Sequence, residues 1–151
     1  MPAPSKDQLR QVYTRAGEDR DLTPEQAEAL CNQAGIAKGV VAKVLEAGKF
    51  HAVVSLEKFL FLMLAMGCAD FEEVLQGIFD VFGTSGAVNA QLFAQLIEYL
   101  QGDMDPDVTT QFVLELAEEV ADLASITFRE AKQLGTISRK LAGPAAAEEG
   151  S

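Results

Sequence analysis

The sequence has little of what a metal centre, a disulfide framework or a membrane anchor requires. It contains a single histidine, and its two cysteines, Cys31 and Cys68, lie far apart and form no metal-binding motif. No apolar run reaches the roughly 18 residues that a membrane-spanning helix needs. The amino terminus lacks the apolar core of a secretory signal. We therefore expect a cytoplasmic protein with reduced thiols, no His-rich metal site and no membrane insertion.

Basic residues are also scarce. Lys and Arg number 12 against 23 Asp and Glu, so the formal net charge is −11 at pH 7. The phosphates of nucleic acids and anionic membranes would repel such a chain, so we expect no nucleic-acid partner. The charge favours a basic partner, although the same acidity would also serve solubility alone.

The elements of an active site are missing from the sequence as well. It offers no nucleophile–base pair and no metal cluster. The stretch GTSG (83–86) is too short for a phosphate-binding loop and lacks its lysine. We therefore expect no enzymatic activity.

Apolar residues recur at helical spacing along most of the chain, which predicts an all-α fold. Four stretches, LTPEQA, VSLEKF, VNAQLF and ITFREA, share one pattern: an apolar residue is followed by a residue suited to cap a helix. The apolar residues are Leu22, Val54, Val88 and Ile126, and the capping residues are Thr23, Ser55, Asn89 and Thr127.

The four stretches indicate a repeat of helix–loop–helix units. Thr23 with Gln26 and Thr127 with Glu130 read as capping boxes, so a helix begins at each of these sites. A short turn-like segment precedes each apolar residue, and the intervals between the units are thirty-odd residues. Tetratricopeptide solenoids have a similar period, but their pattern of small and large residues is missing.

At this level the chain resembles the EF-hand superfamily, of the calmodulin and myosin essential light chain type. The closest segments are 70–107, in which Asp70 and Glu73 cap a helix, and 112–134. Segments 5–30 and 40–63 are weaker matches. The resemblance implies that the central apolar residues of neighbouring loops pair as short antiparallel bridges, Leu22 with Val54 and Val88 with Ile126.

The resemblance also implies four degenerate hands in two lobes joined by a helix that is broken at Gly67. The expected bounds are a disordered tail at 1–5, an N-lobe at 6–66, a linker at 67–78, a C-lobe at 79–141 and a disordered tail at 142–151.

The loops are poor calcium sites. Calcium takes six to eight oxygen ligands, and the loop normally ends in a bidentate glutamate. With the apolar residues aligned to the family, that position falls on Gln26, Lys58, Leu92 and Glu130. Residues 83–93 contain no carboxylate at all. We expect no calcium and no other cofactor; the remaining candidate ligands are Glu18, Asp19 and Asp21.

Lobes of this family bind amphipathic helices in an apolar groove. The candidate groove residues are Phe59, Leu62, Met63, Met66, Leu96, Tyr99, Leu100 and Leu134, which would serve equally well as core residues. The resemblance implies a calcium-independent protein that holds a basic, IQ-type helix of a larger cytoskeletal or motor protein, such as a myosin heavy chain or an axonemal protein.

Two alternatives stay open at this stage. One is a calcium sensor that uses the residual loop at 17–26. The other is a helical adaptor unrelated to EF-hands, which failure of the two predicted bridges would favour. The resemblance also implies a cytoplasmic location, associated with the cytoskeleton or a flagellum.

Overall fold

The computed structural model describes residues 3–17, 21–100 and 106–134, without the side chains of Leu100, Pro106 and Val108. Within these residues the chain is mostly helical, with eight α-helices and four two-residue strands. It divides into two compact units, Met1–Phe82 and Gly83–Ser151. The predicted tail at 142–151 lies outside the described residues. None of the helices in the described part has the length and apolarity needed to cross a bilayer.

The first unit contains five helices and one pair of strands. In chain order these are α1 (Lys6–Ala16), β1 (Asp21–Leu22), α2 (Pro24–Gln33), α3 (Lys38–Ala47), β2 (Val54–Ser55), α4 (Leu56–Met66) and α5 (Phe71–Phe82). The described part of the second unit contains β3 (Ala87–Val88), α6 (Ala90–Leu100), α7 (Pro106–Glu119), β4 (Ile126–Thr127) and α8 (Phe128–Gln133).

Short antiparallel strands join the loops in each unit. Leu22 of β1 lies opposite Val54 of β2, and Val88 of β3 lies opposite Ile126 of β4. The sequence predicts both pairs. All four side chains are buried, none more than 5% exposed. Each pair therefore connects two helix–loop–helix units through backbone hydrogen bonds and a shared apolar contact.

Side-chain caps begin most of the helices that the sequence pattern predicts. The capping boxes at Thr23 and Thr127 are both present, and the backbone N–H of Leu92 donates to Asn89 Oδ1 at 2.8 Å. Ser55 is the N-cap residue of α4, as expected, but the expected side-chain hydrogen bond to the first turn is absent. The ψ angle of Ser55 is 117°, whereas it is 158° at Thr23, which does form the capping hydrogen bond.

The helix α5 packs against α1 and α4 and belongs to the first unit. Lys6 Nζ lies 3.0 Å from Asp80 Oδ2, Arg10 Nη1 donates to the Val81 carbonyl at 2.8 Å, and the ring of Tyr13 meets that of Phe82 edge-on at 5.1 Å. The expected linker at 67–78 therefore contains the end of α4, which has Gly67 at its C-cap, and most of α5. The boundary between the units falls after Phe82.

Two features join the helices in the described part of the second unit: a pair of aromatic rings, and a hydrogen bond between the start of α6 and the loop before β4. The ring centroids of Phe93 on α6 and Phe112 on α7 are 6.5 Å apart, and both side chains are buried. The backbone N–H of Ala90 donates to the Leu123 carbonyl at 2.7 Å. The start of α6 is therefore hydrogen-bonded to the last loop.

Candidate functional site

The first-unit residues of the predicted groove all lie on α4, and they divide into a buried and an accessible pair. Phe59 and Met63 are fully buried. Leu62 is half-buried, and Met66 is 44% exposed. Only Leu62 and Met66 can therefore contact another molecule without movement of the helices.

The second-unit residues are less accessible. Leu96 and Leu134 are buried, and Tyr99 is half-buried. The side chain of Leu100 lies outside the described residues. Four of the predicted groove residues, Phe59, Met63, Leu96 and Leu134, are therefore core residues in this conformation. Helical spacing alone does not distinguish a core residue from a groove residue.

The second loop, between α3 and β2, is closed by contacts within the protein. The N–H of Phe50 donates to the Leu45 carbonyl at 3.0 Å, and Lys49 has a φ of 55°, the geometry of a Schellman motif at the end of α3. Lys58 Nζ lies 3.5 Å from the Gly48 carbonyl and 5.5 Å from the centre of the Phe50 ring. The ammonium group of Lys58 thus supplies a positive charge at the carbonyl end of α3, where the helix dipole favours one.

The third loop, between α5 and β3, is a tight backbone turn. The N–H of Thr84 donates to the Ala87 carbonyl at 2.8 Å, and the N–H of Ala87 donates back to the Thr84 carbonyl at 3.1 Å. Ser85 and Gly86, the two central residues of the turn, both have positive φ, which a type I′ hairpin turn requires. The backbone carbonyl oxygens of Thr84 and Ala87 therefore both accept hydrogen bonds within the turn itself.

Asp122, in the fourth loop between α7 and β4, and Glu130, at the start of α8, both make local hydrogen bonds. Asp122 Oδ1 accepts from the N–H of Ala124 at 2.9 Å. Glu130 Oε1 accepts from the N–H of Thr127 at 3.2 Å and from its hydroxyl at 3.1 Å. Glu130, at the position of the family's bidentate ligand, therefore caps a helix.

The first loop holds the three candidate calcium ligands, of which one is described. Asp21 is exposed and pairs through its backbone with Ser55, whereas Glu18 and Asp19 lie outside the described residues. Across residues 3–17, 21–100 and 106–134, no three His, Cys, Asp or Glu side chains are arranged to hold a metal ion.

Neither thiol is activated. Burial raises the pKa of Cys31 to about 12, and the nearby carboxylate of Glu28 adds to this effect. Burial, followed by the charge of Glu73, also raises the pKa of Cys68, whose Sγ lies 3.2 Å from the Leu64 carbonyl. Both side chains are therefore protonated at neutral pH and are poor nucleophiles.

Sequence reasoning missed two features. It placed Lys58 only at the position of the family's calcium-ligating glutamate, whereas the structure shows its ammonium group at the carbonyl end of α3; the signal was the Lys itself, ten residues after Gly48. It also passed over Glu98, a buried carboxylate on α6 that is 2% exposed. An acidic residue within an apolar helical stretch was the available signal for that position.

No known protein-family model matches the chain, and comparison with curated proteins finds no significant match.

Proposed function

We propose that this chain is a non-enzymatic binding protein of the EF-hand type, similar to calmodulin and to light chains. It holds a basic amphipathic helix of a larger cytoskeletal or motor protein and does so without calcium. The observation that supports this most strongly is the pairing of Leu22 with Val54 and of Val88 with Ile126. Two-residue strands that join successive loops in both units fit paired hands, and an unrelated helical adaptor gives no reason for them.

The contacts inside the loops support calcium independence. In the second loop the Lys58 ammonium lies at the end of α3, and in the fourth loop Asp122 and Glu130 are engaged in local hydrogen bonds. An ion at either place would have to displace a protein contact. It would also gain few of the six to eight oxygens that calcium requires.

The charge of the second unit supports a basic partner. Glu118, Glu119 and Asp122 are exposed at the end of α7 and in the loop that follows. Single exposed ion pairs contribute only about 0.2 to 1 kcal/mol, so this charge acts mainly on association rate and on the choice of partner. Binding through it weakens as salt is added, because exposed charges are screened over about 10 Å at 0.1 M salt.

The test is affinity purification of the tagged chain from its own cells, once with a chelator and once with calcium. The same large partner in both conditions, followed by tight binding of one basic helical peptide from that partner, is the expected result. A chain that binds no helical peptide, or binds only with calcium, would contradict the proposal.

Two variants make the peptide measurement specific. Tyr99→Ala changes a half-buried residue of the predicted groove, and Leu114→Ala changes an apolar residue of α7 that is 58% exposed and outside it. Tyr99→Ala is expected to weaken peptide binding about tenfold or more, as loss of an aromatic contact does. Leu114→Ala is expected to leave it within about twofold.

A further inference from the structure

A small apolar patch remains open on the first unit. It consists of Phe50, Leu62 and Met66 and is called here the Met66 patch. Leu62 and Met66 are one helical turn apart on α4 and share a face. Phe50 and Leu62 converge over Gly48, where an added Cβ would lie 2.9 Å from Leu62 Cδ1 and closer still to the Phe50 ring. Leu62 therefore lies next to both Phe50 and Met66, and Met66 is the most exposed of the three side chains.

Two lysines lie at the Phe50 end of this patch. Lys58 precedes Leu62 by one turn on the same face of α4, and its Nζ is 5.5 Å from the centre of the Phe50 ring. Lys49 is exposed and immediately precedes Phe50 in the turn that ends α3. The surrounding segment 38–58 has four lysines and two glutamates, Glu46 and Glu57, in a chain whose net charge is −11.

We infer that the Met66 patch docks an acidic amphipathic helix, in which apolar side chains are flanked by carboxylates. The apolar residues of such a helix would cover Met66 and Leu62, and its carboxylates would meet Lys49 and Lys58. A basic helix would bring its own cations against these lysines, and charge repulsion of this kind selects against a partner. The flexible side chain of Met66 suits such a contact because it adapts to the shape of its partner.

This inference shares Leu62 and Met66 with the predicted groove, and it requires that the basic helix of the proposed function be held by the second unit. It assigns to the first unit a partner charge opposite to the one proposed for the acidic second unit. The two statements can fail separately, since a chain that binds basic helices through its second unit need not bind acidic ones through the Met66 patch.

The test uses two synthetic helical peptides with the same leucine stripe, one flanked by glutamates and the other by lysines. Each is titrated against the full chain by fluorescence anisotropy at low and high salt. The glutamate peptide is expected to bind, and Met66→Ser is expected to weaken it about tenfold, the size of one buried methionine contact. Lys49→Glu is expected to weaken it about threefold or more, and less at high salt.

Matched controls separate the patch from general effects. Leu114→Ser removes an exposed apolar residue of the second unit, and Lys132→Glu makes the same charge change on α8; both are expected to leave the affinity within about twofold. Thermal melts of all four variants check folding, which substitutions at exposed positions should preserve.

Three outcomes would overturn the inference. One is that the lysine peptide binds at least as tightly and loses affinity on Met66→Ser, which would assign the patch to a basic helix. A second is that Met66→Ser has no more effect than Leu114→Ser. The third is concentration-dependent dimerisation that Met66→Ser abolishes, which would identify a second copy of the chain as the occupant.

Discussion

Lys58 offers the sharpest test of what holds the second loop closed. Lys58→Met removes the ammonium group and keeps most of the apolar stem. The lost interactions are a 3.5 Å contact with the Gly48 carbonyl, at the long limit of a hydrogen bond, and a 5.5 Å contact with the Phe50 ring. The helix-end charge effect and the cation–π contact of a half-buried lysine contribute about 0.5 to 1 kcal/mol each.

We therefore expect Lys58→Met to lower the free energy of unfolding of the first unit by about 1 to 2 kcal/mol, which corresponds to about 4 to 16 °C in melting temperature for a unit of this size. Lys58→Glu should cost more, because it places a carboxylate beside a carbonyl and an aromatic face. The assay is thermal and urea unfolding followed by circular dichroism, with chelator and with calcium. Lys43→Met, at an exposed position of α3, is the control for loss of one charge.

Two results would refute this reasoning. If Lys58→Met and Lys43→Met unfold alike, the ammonium of Lys58 does not hold the loop. If calcium raises the melting temperature of the wild-type chain, its loops provide enough oxygens for an ion, and the proposal of calcium independence fails.

Three further predictions follow from the packing and from backbone geometry. Gly77→Ala should destabilise the first unit by about 1 to 2 kcal/mol, because the added Cβ would lie 2.5 Å from Leu64 Cδ1 in a closed core. The control is Gly39→Ala at an exposed position of α3, which should stabilise the unit through helix propensity. Urea titration measures the free energy of unfolding of both variants. Lys49→Gly should raise the free energy of unfolding by about 0.5 to 1 kcal/mol, since its φ of 55° suits glycine; an unchanged urea midpoint would contradict this. Thr127→Ala should cost about 1 kcal/mol through loss of the capping box, seen as a lower melting temperature, and equal stability would mean that β4 alone starts α8.

The paired loops could be predicted from the sequence because each leaves a local signature. An apolar residue that must pair and be buried is followed at once by a residue that must cap a helix. At Leu22–Thr23 and Ile126–Thr127 both requirements act on adjacent residues, and the structure has the bridge and the cap together. At Val54–Ser55 the bridge forms and the cap does not, so burial of the apolar residue is the stronger of the two requirements here.

The packing of α5 could not be predicted in the same way. Its helical period shows that Val74, Ile78 and Val81 share an apolar face, but not which helices cover that face. Contacts between residues distant in sequence determine which helices cover it. Lys6 of α1 pairs with Asp80, and Gly77 has no side chain to keep Leu64 of α4 away. A boundary drawn from the family resemblance alone therefore differs from one drawn by packing.

The burial of the groove residues has a consequence for the partner. Exposing a buried side chain such as Phe59 or Met63 costs about 1.5 to 3 kcal/mol, so opening both positions costs about 3 to 6 kcal/mol. That is a large part of the 5 to 15 kcal/mol by which a domain is usually stable. In sensor EF-hands calcium binding drives the opening. If this chain opens for the proposed helix without an ion, the apolar side chains of that helix must supply that free energy, so the net affinity is lower than their contacts alone would give.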